Sequence, residues 1–497
     1  MGGILARCDN AGVSAEQTSS TPWRAFAFVL AAGFMTLLDV SIVNVALPSI
    51  ESGLGAGASE IQWIVAGYSL AFGLALVPAG RIGDLVGRRT MFTIGLTGFV
   101  LASLACGLSS GPRMLVITRV IQGVFAGVLN PQVTALIQQL FQGPARARAF
   151  GYFGMTVGVS TAIGPTLGGI LVSSLGPSHG WRSVFLINVP IGLVVIPLAW
   201  RNLRGVDEER ERRRAGGGLG LDAVGLALIA VIVLALMWPF ISSSDNADGL
   251  AGSPWWLLAV AAVVGLALIA WERAQDSRGR PAVLPGVLVH NAGFVLGATL
   301  GSAYFAGFTG LFINTTLYFQ QGAGLPAWQA GLAQVPFAVF SAITAARSGN
   351  WVNRIGRRVV IVGLATMLLA VVAIMVAVSV FAERYWAVWV VSALLALAGA
   401  GSGCVISPNQ ALSLADVPAA VAGTASGLLQ TLQRLGATVG LALMTAVFFM
   451  VVGSAPDGDL VSHSHALVAS MGVTVVLLCA ALVVGSIDSR RRLTPRG

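Results

Sequence analysis

Apolar residues in this chain neither alternate nor recur along one helical stripe. They come in unbroken runs of roughly 17 to 25 residues, the length at which an α-helix crosses about 30 Å of hydrocarbon. The runs fall at 23–48, 60–80, 90–110, 113–138, 148–174, 182–201, 221–241, 254–272, 293–320, 328–347, 358–381, 386–411, 420–451 and 465–487, which predicts fourteen membrane-spanning helices. Val359 to Ala382 contains no charge at all, whereas the third and fourth runs are separated only by Ser109-Ser110-Gly111-Pro112-Arg113. Residues 1–22 are polar and lack the basic-then-apolar order of a cleaved leader, so the first run is read as retained behind a cytoplasmic tail.

Composition fits a chain whose main solvent is lipid: 56% of the 497 residues are hydrophobic and only 10% are charged, against about 25% in soluble domains. All 29 basic residues are arginines, giving a net charge of +9. That excess would suit a polyanion, but its placement points to topology instead. Twenty-four of the arginines lie at the two ends of the chain or in breaks such as those holding Arg81, Arg88, Arg89, Arg146, Arg148, Arg201 to Arg214, Arg273 to Arg280 and Arg347 to Arg358. The alternate breaks hold Arg113, Arg182 and Arg384 and are otherwise acidic or neutral, with Glu51, Asp245, Asp248, Asp457 and Asp459. Both termini are therefore cytoplasmic, and nucleic acid is not expected as a partner. Trp23, Trp63, Trp181, Trp200, Trp238, Trp255, Trp256, Trp271, Trp328 and Trp386 stand at span ends, as interfacial rings do. The four cysteines (Cys8, Cys106, Cys404, Cys479) are too scattered for a disulfide framework or a zinc site.

The chain repeats itself. Asn130-Pro131-Gln132 returns as Ser407-Pro408-Asn409 after 277 residues, and Gly80-x-x-x-Asp84-x-x-Gly87-Arg88-Arg89 returns as Gly349-x-x-x-Asn353-x-x-Gly356-Arg357-Arg358 after 269. Gly151 and Gly164 find Gly427 and Gly440 at an offset of 276. Duplication of a six-helix unit follows. It divides the chain into a tail (1–22), a first half (23–201), a charged linker (202–220), two inserted helices (221–272), a second linker (273–292), a second half (293–487) and a C-terminal tail (488–497). Two such halves around a midplane site describe an alternating-access secondary transporter.

Five segments carry a resemblance to a known family. They are Leu38-Asp39-Val40-Ser41-Ile42-Val43-Asn44-Val45-Ala46-Leu47-Pro48, the Gly80 to Arg89 segment, Arg119-Val120-Ile121-Gln122-Gly123, Gly164-Pro165-Thr166-Leu167-Gly168-Gly169, and Gly180-Trp181-Arg182 through Asn188, Pro190 and Gly192. In this order and at these depths the sequence resembles the major facilitator superfamily, specifically its fourteen-helix drug:proton antiporter branch, from about residue 24 to 487. Two departures are Leu85, where a basic residue is common, and Ser160, where a glycine often opens the antiporter motif. The resemblance implies an all-α integral membrane protein of major facilitator fold. It also implies export of drugs, antibiotics or other amphipathic molecules driven by the proton gradient, without ATP, cofactor or metal, by a monomer in the plasma membrane.

Asp39 is the one acidic residue read as lying well inside a span, and a carboxylate in lipid is costly enough that it ordinarily marks a proton or substrate path. It lies roughly 24 Å up a helix that starts in the cytoplasm, and Arg119 roughly 9 Å down one that starts outside, so the two share a depth. The family likeness makes Asp39 the protonation site and Arg119 its modulator; read bare, the pair is a satisfied ion pair, or Asp39 serves polar neighbours such as Asn44. Gly80, Asp84, Gly87, Arg88 and Arg89 form a tight connection that the resemblance assigns to latching the halves, while Asn353 leaves the second copy without its acid. Gly164, Pro165, Gly168 and Gly169 are expected to bend and closely pack the fifth helix. Arg434, deep in the thirteenth span, either meets anionic or carbonyl groups of cargo or binds backbone carbonyls at a kink. With Phe34, Tyr68, Gln122, Tyr152, Tyr304, Phe308, Asn314 and Gln410 it makes the expected lining of a cavity for bulky amphipathic compounds.

Other readings are nutrient uptake by symport, lipid transport, and a membrane enzyme. The antiporter motif opposes the first. Against the last stand the lack of clustered acids, of a His pair at metal spacing (His179, His290, His463 and His465 lie near span ends), of a nucleophile motif and of a phosphate-binding loop.

Overall fold

A computed structural model describes residues 20–176, 179–203, 222–242, 252–278, 283–453, 456 and 458–493. Most of the N-terminal tail, the last four residues, most of the charged linker, and Asp245, Asp248 and Asp457 lie outside the described residues. Fourteen helices are long and apolar enough to span a bilayer: α1 (Pro22–Leu54), α2 (Ser59–Val86), α3 (Arg88–Gly107), α4 (Pro112–Leu140), α5 (Gly143–Leu175), α6 (Gly180–Asn202), α7 (Ala223–Phe240), α8 (Trp256–Gln275), α9 (Ala292–Gly322), α10 (Trp328–Ile355), α11 (Arg358–Val380), α12 (Ala387–Ser413), α13 (Ala419–Val452) and α14 (Leu460–Arg491). Each covers one of the apolar runs. Two are interrupted where proline dictates. α6 breaks at Ile187, three residues before Pro190, and α12 at Cys404 and Val405, four and three residues before Pro408, in the turn with which a proline ring collides.

Each half reproduces the other's packing. In the first, α2 and α3 both pack on α4 and α1 on α5; in the second, α10 and α11 pack on α12 and α9 on α13. The halves meet along two seams related by the repeat, α2 against α13 and α5 against α10. Both seams are made by glycine. A Cβ on Gly80 would stand 2.3 Å from the Gly423 carbonyl oxygen, and one on Gly427 2.4 Å from that of Leu76. Across the other seam, a Cβ on Gly349 would meet the Ala147 carbonyl oxygen at 2.4 Å. Lipid supplies no hydrophobic force between helices, so such close backbone approach, with its dispersion and polar contacts, is what holds them.

The inserted pair leaves this frame intact. α7 lies along the outside of the α2–α13 seam, where Leu226, Ile229, Val233 and Met237 pack with Leu70 and Val77 of α2 and against Leu428 and Leu435 of α13. α8 packs on α7, and the Trp271 indole N–H donates to Asp222 at 2.9 Å.

Two expectations are corrected. The Gly80 to Arg89 segment is not a loop: α2 runs to Val86, α3 starts at Arg88, and Gly87 alone joins them with a φ of 111°, which disfavours any side chain. Trp181 is fully buried against the Ile42 and Phe185 cluster, with Arg182 stacked on its ring, so it is a core residue and not an interfacial one. α5 runs as one helix from Gly143 to Leu175 through Pro165.

Gly164 and Gly168 press α5 onto α1 just after Asp39. A Cβ on Gly164 would lie 2.4 Å from the Ser41 hydroxyl, one on Gly168 2.9 Å from Ile42, whereas Gly169 has nothing within 4 Å. Gly164→Val should therefore lower stability by about 1 to 3 kcal/mol, the usual cost of overpacking. Thermal unfolding in detergent checks this, with Gly169→Val as the control that stays near wild type.

Candidate functional site

Asp39 is fully buried on α1 and accepts three hydrogen bonds from two other helices. Arg119 of α4 donates to Oδ2 at 2.7 Å, Gln122 of the same helix to Oδ1 at 2.8 Å, and Asn188 of α6 to Oδ1 at 3.2 Å. Ser103 of α3 accepts from both Gln122 (2.6 Å) and Asn188 (3.2 Å), closing a network over four helices. Arg119 also donates through Nε to the Ile64 carbonyl at 3.2 Å and to Gln122 Oε1 at 2.7 Å, and its guanidinium lies 4.1 Å from the centre of the Tyr68 ring. Gly123 makes this reach possible, since a Cβ there would be 2.4 Å from the Tyr68 carbonyl oxygen.

The two residues read as sharing a depth are thus in contact. Asn44, the other neighbour considered for Asp39, is exposed and takes no part. Ser103 and Asn188 were not singled out from the sequence; Asn188 stood in a quoted motif, while Ser103 carried no signal. A carboxylate can accept all three bonds, but a protonated carboxyl turns one oxygen into a donor facing donors. Adding a proton therefore breaks at least one bond that ties α1 to α4 or α6.

At the Arg-rich end, Asp84 reaches across the α2–α13 seam. It accepts from the backbone N–H of Gly423 (2.9 Å) and Thr424 (2.8 Å) and from the Thr424 hydroxyl (2.9 Å), so it caps a helix belonging to the opposite half. Arg88 pairs with Asp84 at 3.2 Å and donates to the carbonyls of Ala135 and of Ala419, the latter in the second half. Arg89 behaves differently, stacking on Trp200 and donating to its carbonyl within the first half. In the second copy Asn353 donates to the Pro144 carbonyl at 3.3 Å, and Arg357 pairs with Asp488 of α14 at 2.8 Å. Asp488, a second buried acid within a helix, was placed in the tail from sequence; α14 runs far enough to bring it to Arg357.

Among the described residues, the hydrogen bonds between halves lie toward this same end. They include Ser407 to the Phe150 carbonyl (2.6 Å), Arg146 to that of Ala415 (3.2 Å) and Gln430 to the Thr134 hydroxyl (3.2 Å). The molecule is closed on the side that the arginines assign to the cytoplasm.

The residues expected to line a cavity divide. Gln122 belongs to the Asp39 network. Tyr304 is buried and donates to the Ser402 hydroxyl at 2.7 Å, and Asn314 donates to the Met444 carbonyl at 3.2 Å, so both spend polar groups inside the second half. Tyr152 is exposed and meets Trp23 edge to face. Gln410 is buried near the Arg-rich end of α12, while Phe308 stacks on Tyr304 and, like Phe34, is half-buried. Tyr68, Phe72 and Arg434 come together, the Arg434 guanidinium lying 4.1 Å from the Phe72 ring centre. α13 is unbroken through Arg434, and among the described residues no carbonyl accepts from it, so the kink alternative is not met.

This geometry now has relatives beside it. The model of the Major Facilitator Superfamily matches residues 29–441. The chain belongs to the Major Facilitator Superfamily. Within that superfamily it is 35% identical over 437 residues, covering 87% of this chain and 73% of the relative, to the probable actinorhodin transporter of Streptomyces coelicolor. It is 32% identical over 484 residues, 94% of this chain and 92% of the relative, to the puromycin resistance protein of Streptomyces alboniger. The solved proton:xylose symporter XylE, at 15% identity, superposes with a TM-score of 0.64 over 94% of this chain and 95% of that one, which shows the shared fold. A superfamily member is a multi-span membrane transporter.

Asp84→Ala should release the cap on α13 and leave Arg88 without its carboxylate. Losing a helix cap costs about 0.5 to 2 kcal/mol, which would shift the ratio of closed to open cytoplasmic states by about two- to thirtyfold. Labelling of single cysteines placed along the α2–α13 seam checks it: accessibility from the Arg-rich side should rise.

Proposed function

We propose that this transporter exports drugs, antibiotics or other amphipathic small molecules across the plasma membrane in exchange for protons, as a monomer driven by the proton gradient and needing no ATP, cofactor or metal. The observation that carries the reading is Asp39, a carboxylate sealed in the first half and held by three donors from α4 and α6. A site with one carboxylate, one guanidinium and no water contact has two stable bonding patterns, one for each protonation state. Alternation between them moves α1 relative to α4, and α4 carries Gln138 and Thr134, which reach the second half. Proton binding and opening of the seam are thereby linked through one helix. That the relatives are named for antibiotic transport and resistance supports export as the direction and small drug-like molecules as the cargo.

The test compares wild type and Asp39→Asn in an efflux-deficient bacterium loaded with a fluorescent amphipathic dye, before and after collapse of the proton gradient. Wild type should keep cells dim, and both the substitution and the collapse should brighten them to the level of cells without the protein. Filling of wild-type cells with dye would instead establish uptake. Equal accumulation across a broad dye panel would sink drug export and leave a narrow-substrate or lipid transporter.

A further inference from the structure

The face of α13 that meets the first half is defined by Gly423, Gly427 and Gln430, which touch Asp84, Leu76 and Thr134 respectively. Arg434 is one turn beyond Gln430 on that face, above the last hydrogen bond joining the halves. It therefore stands on the seam beyond that bond, toward the side away from the arginines. Its guanidinium is half-buried, lies over the Phe72 ring, and among the described residues has no carboxylate or carbonyl acceptor. Asp39 is held by its own three donors, of which Arg434 is not one.

Two further observations single out this place. The Tyr68 hydroxyl, one turn from Phe72 on α2, is buried and has no hydrogen-bond partner among the described residues. The Tyr68 ring is flanked by Arg119, and its centre lies 6.1 Å from that of the Phe72 ring which Arg434 covers. The repeat supplies the control. The residue 276 positions before Arg434 is Gly158, where a Cβ would lie 3.1 Å from the Ala342 nitrogen across the other seam. The frame thus asks for a small residue at this position, and one seam carries a cation instead.

A guanidinium inside a membrane protein ordinarily has a counter-charge, and an unpartnered hydroxyl beside it is a second donor aimed at nothing. We infer that Arg434 and Tyr68 form an anion subsite at the floor of the cleft between the halves, taking a carboxylate or phenolate of an amphipathic cargo whose ring packs on Phe72. The guanidinium offers a planar fork to the anionic oxygens, and the hydroxyl donates a third bond. This rests on the export reading only for the identity of the ligand as cargo.

The experiment measures equilibrium binding to purified full-length protein by fluorescence polarisation, using fluorescein as an anionic and rhodamine 6G as a cationic xanthene dye. Wild type should prefer fluorescein. Arg434→Gln should weaken fluorescein by about ten- to a hundredfold, the loss of charge-assisted hydrogen bonds, and Tyr68→Phe by about two- to tenfold. Rhodamine 6G should be unaffected or tighter, and Arg434→Lys should recover part of the fluorescein binding. Unchanged thermal unfolding midpoints establish that the variants are folded; a variant that fails this check is replaced in the comparison by Arg434→Lys against wild type. Preference for the cation, absence of fluorescein binding, or equal weakening of both dyes by Arg434→Gln would overturn the subsite. Export in cells with no such binding would leave the transport reading standing, whereas Arg434-dependent binding without export would keep the subsite and remove that reading.

Discussion

Burying two opposite charges side by side in a membrane is the constraint around which the first half is organised. Asp39 and Arg119 are each expensive alone, and removing one partner of such a buried pair typically costs about 3 to 5 kcal/mol because the other is left uncompensated. The pair can form only if α1 and α4 stand at one distance and one rotation. Gly123 brings α4 against α2 so that Arg119 reaches inward, and Gly164 and Gly168 press α5 onto α1 beside Asp39. Ser103, Gln122 and Asn188 then occupy the remaining lone pairs and protons. Glycines from two separate motifs serve one geometric end.

α2 connects that pair to the seam. Its residues Ile64, Tyr68, Phe72, Leu76, Gly80 and Asp84 recur every fourth position, and a row of that spacing advances around the helix by about 40° per step. At one end the row meets Arg119, through the Ile64 carbonyl and the Tyr68 ring. In the middle Phe72 meets Arg434, and at the other end Gly80 and Asp84 meet the start of α13. A single helix therefore touches the buried ion pair, Arg434 of the second half and the closure at the Arg-rich end. Any rotation of α2 is felt at all three.

Depth along the membrane was legible in the sequence, and rotation about a helix axis was not. Apolar run lengths gave the fourteen spans, arginine placement gave their orientation, and counting residues put Asp39 and Arg119 at one level. Which side of a helix faces which neighbour depends on close packing that hydrophobicity does not encode when lipid and protein interior are equally apolar. Hence Tyr304 and Asn314, polar and deep, were natural cavity candidates yet turn into the second half to satisfy Ser402 and Met444. The same blindness hid Ser103, and the Asp488 partner of Arg357 was hidden by a helix longer than its apolar run. Motifs carried what periodicity could not, since Asp84 and the glycines of α5 signal contacts directly.

Duplication built a frame with two equivalent seams, and the charged groups break the equivalence. Counting on by the repeat, Arg119 becomes Ala396, Gln122 becomes Gly399, where an added Cβ would collide with the Phe337 carbonyl, and Asp84 becomes Asn353. In the other direction Arg434 becomes Gly158. A symmetric frame packs comparably whichever end of the cleft is closed, because closing either end uses the same kind of glycine-lined contact. The difference in free energy between the two states is then set by what is not symmetric: the cap that Asp84 places on α13 and, under the function and subsite proposed above, the protonation of Asp39 and the cargo beside Arg434. A transporter needs such a balance, since a ligand or a proton can shift an equilibrium only by its difference in affinity for the two states. A near-even frame lets a single proton or a single bound molecule decide the outcome.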